Sequence, residues 1–175
     1  MKKTIIFAFL GLIILGSCKD SRENAVDAYK AVDKQKQEEI ILDSLGQVAN
    51  SSFADFRKAF AEQKEGTSNF FVKEKYVNDA NREEHLWIRD ITAKGDTLYG
   101  VVDSKPRVTN KVKHNDTIVI DPARISDWMY YDNGKLVGGF SLRYERSKLS
   151  VEEQKEFDEK YLSLIHISEP TRRYA

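Results

Sequence analysis

Residues Ile125 to Arg143 read Ile-Ser-Asp-Trp-Met-Tyr-Tyr-Asp-Asn-Gly-Lys-Leu-Val-Gly-Gly-Phe-Ser-Leu-Arg, two apolar, aromatic-rich runs on either side of Asp132-Asn133-Gly134. Asn and Gly accept the positive φ angles that tight turns need, so this stretch is expected to fold back on itself as a β-hairpin. Trp128 and Tyr130 alternate with Asp127 and Met129, the period of two that strand packing demands. Gly138-Gly139 is expected to mark a bulge or a close strand approach, with no helix after it and hence no phosphate cradle.

The rest of the chain supplies partners for that hairpin. Phe70–Val77, His85–Ile91, Thr97–Val102 and Thr117–Ile120 read as strands, separated by Asn78–Glu83, by the turn Lys94-Gly95-Asp96, by a link holding Pro106, and by His114-Asn115-Asp116. Before them, Ile41, Leu45 and Val48 recur at the spacing of one helix face. Phe53, Phe56 and Phe60 place an aromatic stripe on a second helix, which Ser52 is expected to cap and Gly66 to terminate. Ser150-Val151-Glu152-Glu153 is a capping box opening a polar helix, residues 148–161. The fold class is therefore α+β. A strongly bent antiparallel sheet, or a small partly open barrel, of about six strands is packed by one or two N-terminal helices.

Both ends carry separate information. Lys2 and Lys3 precede the apolar run Ile5–Leu15, and Leu15-Gly16-Ser17-Cys18 resembles a bacterial lipobox. Residues 1–17 are expected to be a lipoprotein signal peptide and Cys18, the only cysteine, the lipidated residue. Acyl chains on Cys18 would hold the protein at a membrane at ~0.8 kcal/mol per buried methylene. Lys19 follows instead of the Asp of inner-membrane retention, so the expectation is a cell-envelope lipoprotein of the outer membrane. Residues 18–39 are polar with alternating charge and serve as a tether, a spacer or solvated helix. Leu162 to Arg172 reads Leu-Ser-Leu-Ile-His-Ile-Ser-Glu-Pro-Thr-Arg, the translation of a transposase adapter used in sequencing libraries. Residues 162–175 are thus expected to be non-native, and His166 carries no weight. Lys plus Arg and Asp plus Glu are 28 each. Without residues 1–17 and 162–175 they become 24 and 27, near −3, which argues against a nucleic-acid partner.

Phe71-Val72-Lys73, Glu84-His85-Leu86-Trp87, Gly100, Pro106, Asp116, Ile125-Ser126-Asp127-Trp128-Met129-Tyr130 and Leu136-Val137-Gly138-Gly139-Phe140 resemble, in that order, the YegJ-like family of bacterial proteins, which carries a domain of unknown function. The resemblance spans about Val48 to Arg146 inside a domain of residues 40–147. It implies a compact α+β module, often exported, with no established activity. The polar insert Asn78 to Arg82 departs from the family pattern and lengthens a loop.

No catalytic constellation is legible. His85 and His114 lack metal-ligand spacing, and no cofactor loop is present, so neither a metal nor a cofactor is expected. Glu84, His85 and Asp127 could form an acid–base set, but a strand histidine beside a carboxylate and an Asp127 bonded to backbone amides at a strand entrance are the plainer readings. His85, Trp87, Asp127, Trp128 and Tyr130 are the candidate binding patch. The expected function is a lipid-anchored envelope module that binds a protein or small ligand without catalysis. An immunity-type inhibitor of a toxin, or an envelope hydrolase using His85 and Asp127, are the alternatives.

Overall fold

A computed structural model describes residues 18–163; the expected signal peptide, residues 1–17, and residues 164–175 of the expected non-native tail lie outside them. Two compact units are distinguished, Met1–Ile40 and Ile41–Ala175. Helix α1, Cys18–Ser51, runs through the boundary. In its first unit the helix is solvated: Val26, Tyr29, Val32 and Ile40 are all exposed, and Gln35 bonds Glu39 one turn on.

The second unit holds the rest of the elements. These are α2 (Phe53–Glu62), β1 (Thr67–Val77), β2 (Glu83–Lys94), β3 (Thr97–Val102), β4 (Thr117–Val119), a short 3-10 turn (Pro122–Arg124), β5 (Ile125–Asp132), β6 (Lys135–Gly138), α3 (Phe140–Ser147) and α4 (Val151–Ser163). The six strands form one antiparallel sheet in the order β4-β3-β2-β1-β5-β6. The ends do not pair, so the six-stranded sheet is open, in keeping with the expected α+β class. Register shifts between Ser68 and Phe71 in β1 and between Arg89 and Thr92 in β2 place Asn69 and Asp90 at φ 53° and 51°. Asn and Asp visit this left-handed region more readily than other side chains, and such bulges bend a strand.

The aromatic stripe of α2 makes the core. Phe53, Phe56 and Phe60 are buried and stack along the helix, and Phe56 lies 5.8 Å from the Trp128 ring centroid. Phe70 packs edge-on to Phe56 and Phe60 at 5.7 and 5.3 Å. Val72, Ile88, Leu98, Ile120 and Ile125 complete the cluster. Burial of such side chains is worth about 1.5–3 kcal/mol each, which makes this stripe the main apolar contribution to the fold.

Several local expectations are corrected. The inward face of α1 is Leu42, Leu45 and Gly46, half-buried, with Ala49 buried; Ile41 and Val48 are exposed. The reason is a distant bond: Trp128 Nε1 donates to the Ala49 carbonyl at 2.9 Å and sets the helix rotation. Ser52 sits at the start of α2 but its hydroxyl donates back to the Val48 carbonyl, so it does not cap by side chain. Gln63, left-handed at φ 40°, ends α2 before Gly66 is reached. The hairpin turn forms as read, with Asn133 and Gly134 at φ 49° and 76° and Asp132 opposite Lys135. Its return strand stops at Gly138, however, and Phe140-Ser141-Leu142-Arg143 opens α3 instead of continuing the strand. Ser150 and Glu153 exchange the reciprocal bonds of the capping box at the start of α4.

The long link after β3 is tied down by Glu84. Its carboxylate accepts from the backbone N–H of Arg107, Val108 and Thr109 at 2.7, 3.0 and 2.8 Å. Burial opposes its charge, but these amides together hold the carboxyl below its usual 4.5. A depressed folded-state value contributes stability that is complete above the unfolded pKa and is lost as pH falls through the folded one. The protection of the amides at residues 107–109, relative to their intrinsic exchange at each pH, should therefore fall on acidification below about 4.5. Glu84→Gln should bring the same loss of protection to neutral pH, with a stability loss of about 1.5–3 kcal/mol. Exchange at these amides that ignores both changes would contradict this anchoring.

Candidate functional site

Strand register decides which candidate residues meet. Lys73 stands opposite Trp87 on β2 and opposite Asp127 on β5, and Lys75 stands opposite His85. Val72, one residue earlier, stands opposite Trp128. Directly opposed residues share a face and successive residues do not. The five residues expected in one patch are therefore divided. Asp127, His85 and Trp87 lie on the Lys73 face. Trp128 and Tyr130 lie on the α2 face, stacked on each other at 6.2 Å and packed into the aromatic core.

Asp127 is fully buried and organises the entry to α3. Oδ1 accepts from Trp128 N at 2.7 Å and Phe140 N at 3.0 Å. Oδ2 accepts from Ser141 N at 2.8 Å and Ser141 Oγ at 2.5 Å. Lys73 Nζ donates to Ser141 Oγ at 3.0 Å and sits 5.0 Å from the Trp87 ring centroid. Burial pushes the Lys73 pKa down, and the charges of Asp127 and Glu145 oppose that. The expected bonding of Asp127 to backbone amides is what forms, at a helix start. An Asp127–His85 acid–base pair is not formed, because all four acceptor positions of the carboxylate are taken. Ser141 beside Lys73 is no acyl-transfer nucleophile either: the Phe140 and Ser141 amides that would hold an oxyanion are held by Asp127.

His85 instead faces a cleft of about 630 Å³ between the last turns of α1, the β1–β2 end of the sheet and the start of β5. Ser126 Oγ lies 3.2 Å from the Lys73 carbonyl and 2.8 Å from His85 Nδ1. If the hydroxyl proton goes to the carbonyl, the ring donates from Nδ1 and Nε2 is the free acceptor. Burial, then the ammonium groups of Lys73 and Lys75, lower the His85 pKa from its ordinary value. Arg124 enters the cleft from the 3-10 turn and Lys111 from the long link. Lys75 comes from β1 and is paired with Asp43 and Glu83 at 3.6 and 3.2 Å.

Beneath the cleft, Glu74 occupies a core position of β1 at 0% exposure. It accepts from Asp121 N at 2.6 Å, Tyr76 Oη at 2.8 Å and Arg124 Nε at 3.2 Å. Burial raises its carboxyl pKa against these donors, and burial followed by the Glu74 bond raises that of the Tyr76 phenol. The network fixes Arg124 on the Tyr76 ring, 5.1 Å from its centroid. Sequence reasoning passed over Lys73, Glu74, Lys111, Arg124 and Ser141. One signal was available: in Phe70, Val72, Glu74, Tyr76 the carboxylate falls on the apolar period, which demands a buried partner.

Among the described residues, no group of three His, Cys, Asp or Glu side chains could hold a metal ion, and no helix is long and apolar enough to cross a membrane. The profile of a family described as "Uncharacterized protein conserved in bacteria (DUF2314)" matches residues 42–162, which contain every residue of the cleft. A Neisseria meningitidis serogroup B protein described as an ankyrin repeat protein is 36% identical over 75 residues, 43% of this chain and 30% of its own length. The uncharacterised protein YegJ of Escherichia coli K12 is 32% identical over 79 residues, 45% of this chain and 51% of its own. The chain thus spans about half or less of the curated relatives it matches. No solved structure matches it.

Proposed function

Because the chain belongs to the DUF2314 family of bacterial proteins, with the family's fold spanning its whole sheet, we propose that it is a lipid-anchored envelope protein whose cleft at His85 recognises a partner without turning it over. The cleft carries this reading. It is concave, of a size suited to a ligand or a short chain segment, and lined by donors from α1, β1, β2, the long link, the 3-10 turn and β5. The carboxylates that general acid–base chemistry would need are saturated by structural bonds at Asp127 and Glu84. The basic start, short apolar run and Leu15-Gly16-Ser17-Cys18 support attachment through Cys18 to the outer membrane, with the solvated first part of α1 as its tether.

Fatty-acid labelling of cells should mark the wild-type protein and leave Cys18→Ser unlabelled in the soluble fraction. A photo-crosslinking side chain at Gln47, on the cleft wall, should give a discrete envelope adduct that the same group at Lys135 does not. Labelled, membrane-bound Cys18→Ser would overturn the anchor. Identical behaviour at positions 47 and 135 would overturn the cleft.

A further inference from the structure

Arg124 and Lys111 meet the rest of the protein in a way that leaves donors turned to the cleft. Arg124 reaches both its carboxylate partners, Glu74 at 3.2 Å and Asp121 at 3.6 Å, through Nε. The guanidinium fork also carries two Nη groups, the pair that grips a carboxylate in bidentate fashion. Lys111 Nζ gives one bond to the Val77 carbonyl at 2.8 Å and makes no ion pair among the described residues. An ammonium has three donors, so two remain. His85 and Lys75, opposed across β1 and β2, line the same cleft. The acidic members of the neighbourhood are already engaged: Asp43 and Glu83 on Lys75, Glu74 and Asp121 on Arg124. The walls are also apolar, at Leu42, Val77 and Ile125.

We propose that the cleft binds an acidic peptide segment of a partner protein, one carboxylate seated between Arg124 and Lys111 and an apolar neighbour laid against Leu42, Val77 and Ile125. This rests on the cleft being the recognition site. The peptide is preferred over a free inorganic anion because one anion occupies a small fraction of about 630 Å³, and the apolar walls match a side chain that phosphate lacks. Glu74 is the positioning residue: buried on the far side of Arg124, it holds Nε and so directs the fork outward.

The test is fluorescence anisotropy with the full-length acylated protein in detergent and a labelled hexapeptide of alternating leucine and glutamate. The peptide is expected to bind, and its leucine–glutamine counterpart to bind at least tenfold more weakly. Lys111→Gln should weaken the acidic peptide several-fold and Lys111→Arg restore it. Arg124→Lys, which keeps a cation beside Glu74 but removes the fork, should weaken it at least tenfold without unfolding the domain. Equal binding of the two peptides overturns the acidic preference but leaves the cleft a recognition site. Inorganic phosphate that displaces the probe at equal or lower concentration than unlabelled peptide overturns the peptide in favour of a small anion. Binding of neither peptide overturns the proposal, and joined to identical adducts at positions 47 and 135 it overturns the recognition reading as well.

Discussion

Asp127→Ala is expected to lower the unfolding free energy by about 3–5 kcal/mol, because breaking a buried charge network leaves its partners unmet. The alanine removes the acceptor of Trp128 N, Phe140 N, Ser141 N and Ser141 Oγ at once, in a place with 0% exposure at the carboxylate. It also strips Lys73 of the anion it reaches through Ser141. Asp127→Asn should fall between, since an amide oxygen can serve one side while its NH₂ is turned against the donors on the other. Urea unfolding measures both. A loss below about 1 kcal/mol for the alanine variant would mean that α3 is held by packing and the hub is incidental. Amide exchange at Phe140 and Ser141 adds a local reading, and should accelerate ahead of the sheet.

Gly138→Ala has a comparable effect from a different cause. Gly138 is at φ +72°, and an added Cβ would lie 2.6 Å from Trp128 Cε3 and closer still to the Trp128 carbonyl oxygen. Neither neighbour can move: the carbonyl accepts from Gly139 N at 2.8 Å, and the ring is pinned by the Ala49 bond and the Phe56 contact. Left-handed strain of about 1–2 kcal/mol adds to overpacking of about 1–3 kcal/mol. The expected loss is about 2–5 kcal/mol on those terms. Gly134→Ala is the control. Gly134 is also left-handed, at φ +76°, but nothing lies within 4 Å of its added Cβ, so only the strain remains. Equal losses at the two glycines, by the same urea measurement, would show that the tryptophan contact has no energetic weight.

What could be read from residues alone follows the range of the forces involved. The α2 stripe was legible because Phe53, Phe56 and Phe60 carry their period within one helix. β3 was legible to the residue, and the Asn133-Gly134 turn by its φ requirement. The face of α1 was not, because Trp128 sets it from 79 residues away. Helix α3 was missed for the same reason. Its start is stabilised by a carboxylate 13 and 14 residues upstream, and it is only eight residues long, directly after two glycines that read as a strand feature. At the candidate site, His85 and Trp87 were found by their residue type. Their separation from Trp128 and Tyr130 depends on the register of β1 with two different strands, which no local pattern encodes.

The place of β1 between β2 and β5 has a temporal consequence. On one side its partner arrives almost at once, with Val77 opposite Glu83. On the other, Thr67 waits for Asp132. At about 5–20 residues per second, that interval in synthesis lasts roughly 3–13 s. During it the β1–β4 meander can assemble, but one edge of β1 has no partner and the α2 phenylalanines have no Trp128 to close over them. Unpaired edges and uncovered aromatic surface are what promiscuous strand pairing exploits. The β5–β6 hairpin therefore acts as the closing piece of the molecule, and the nascent chain is most vulnerable just before that hairpin is made.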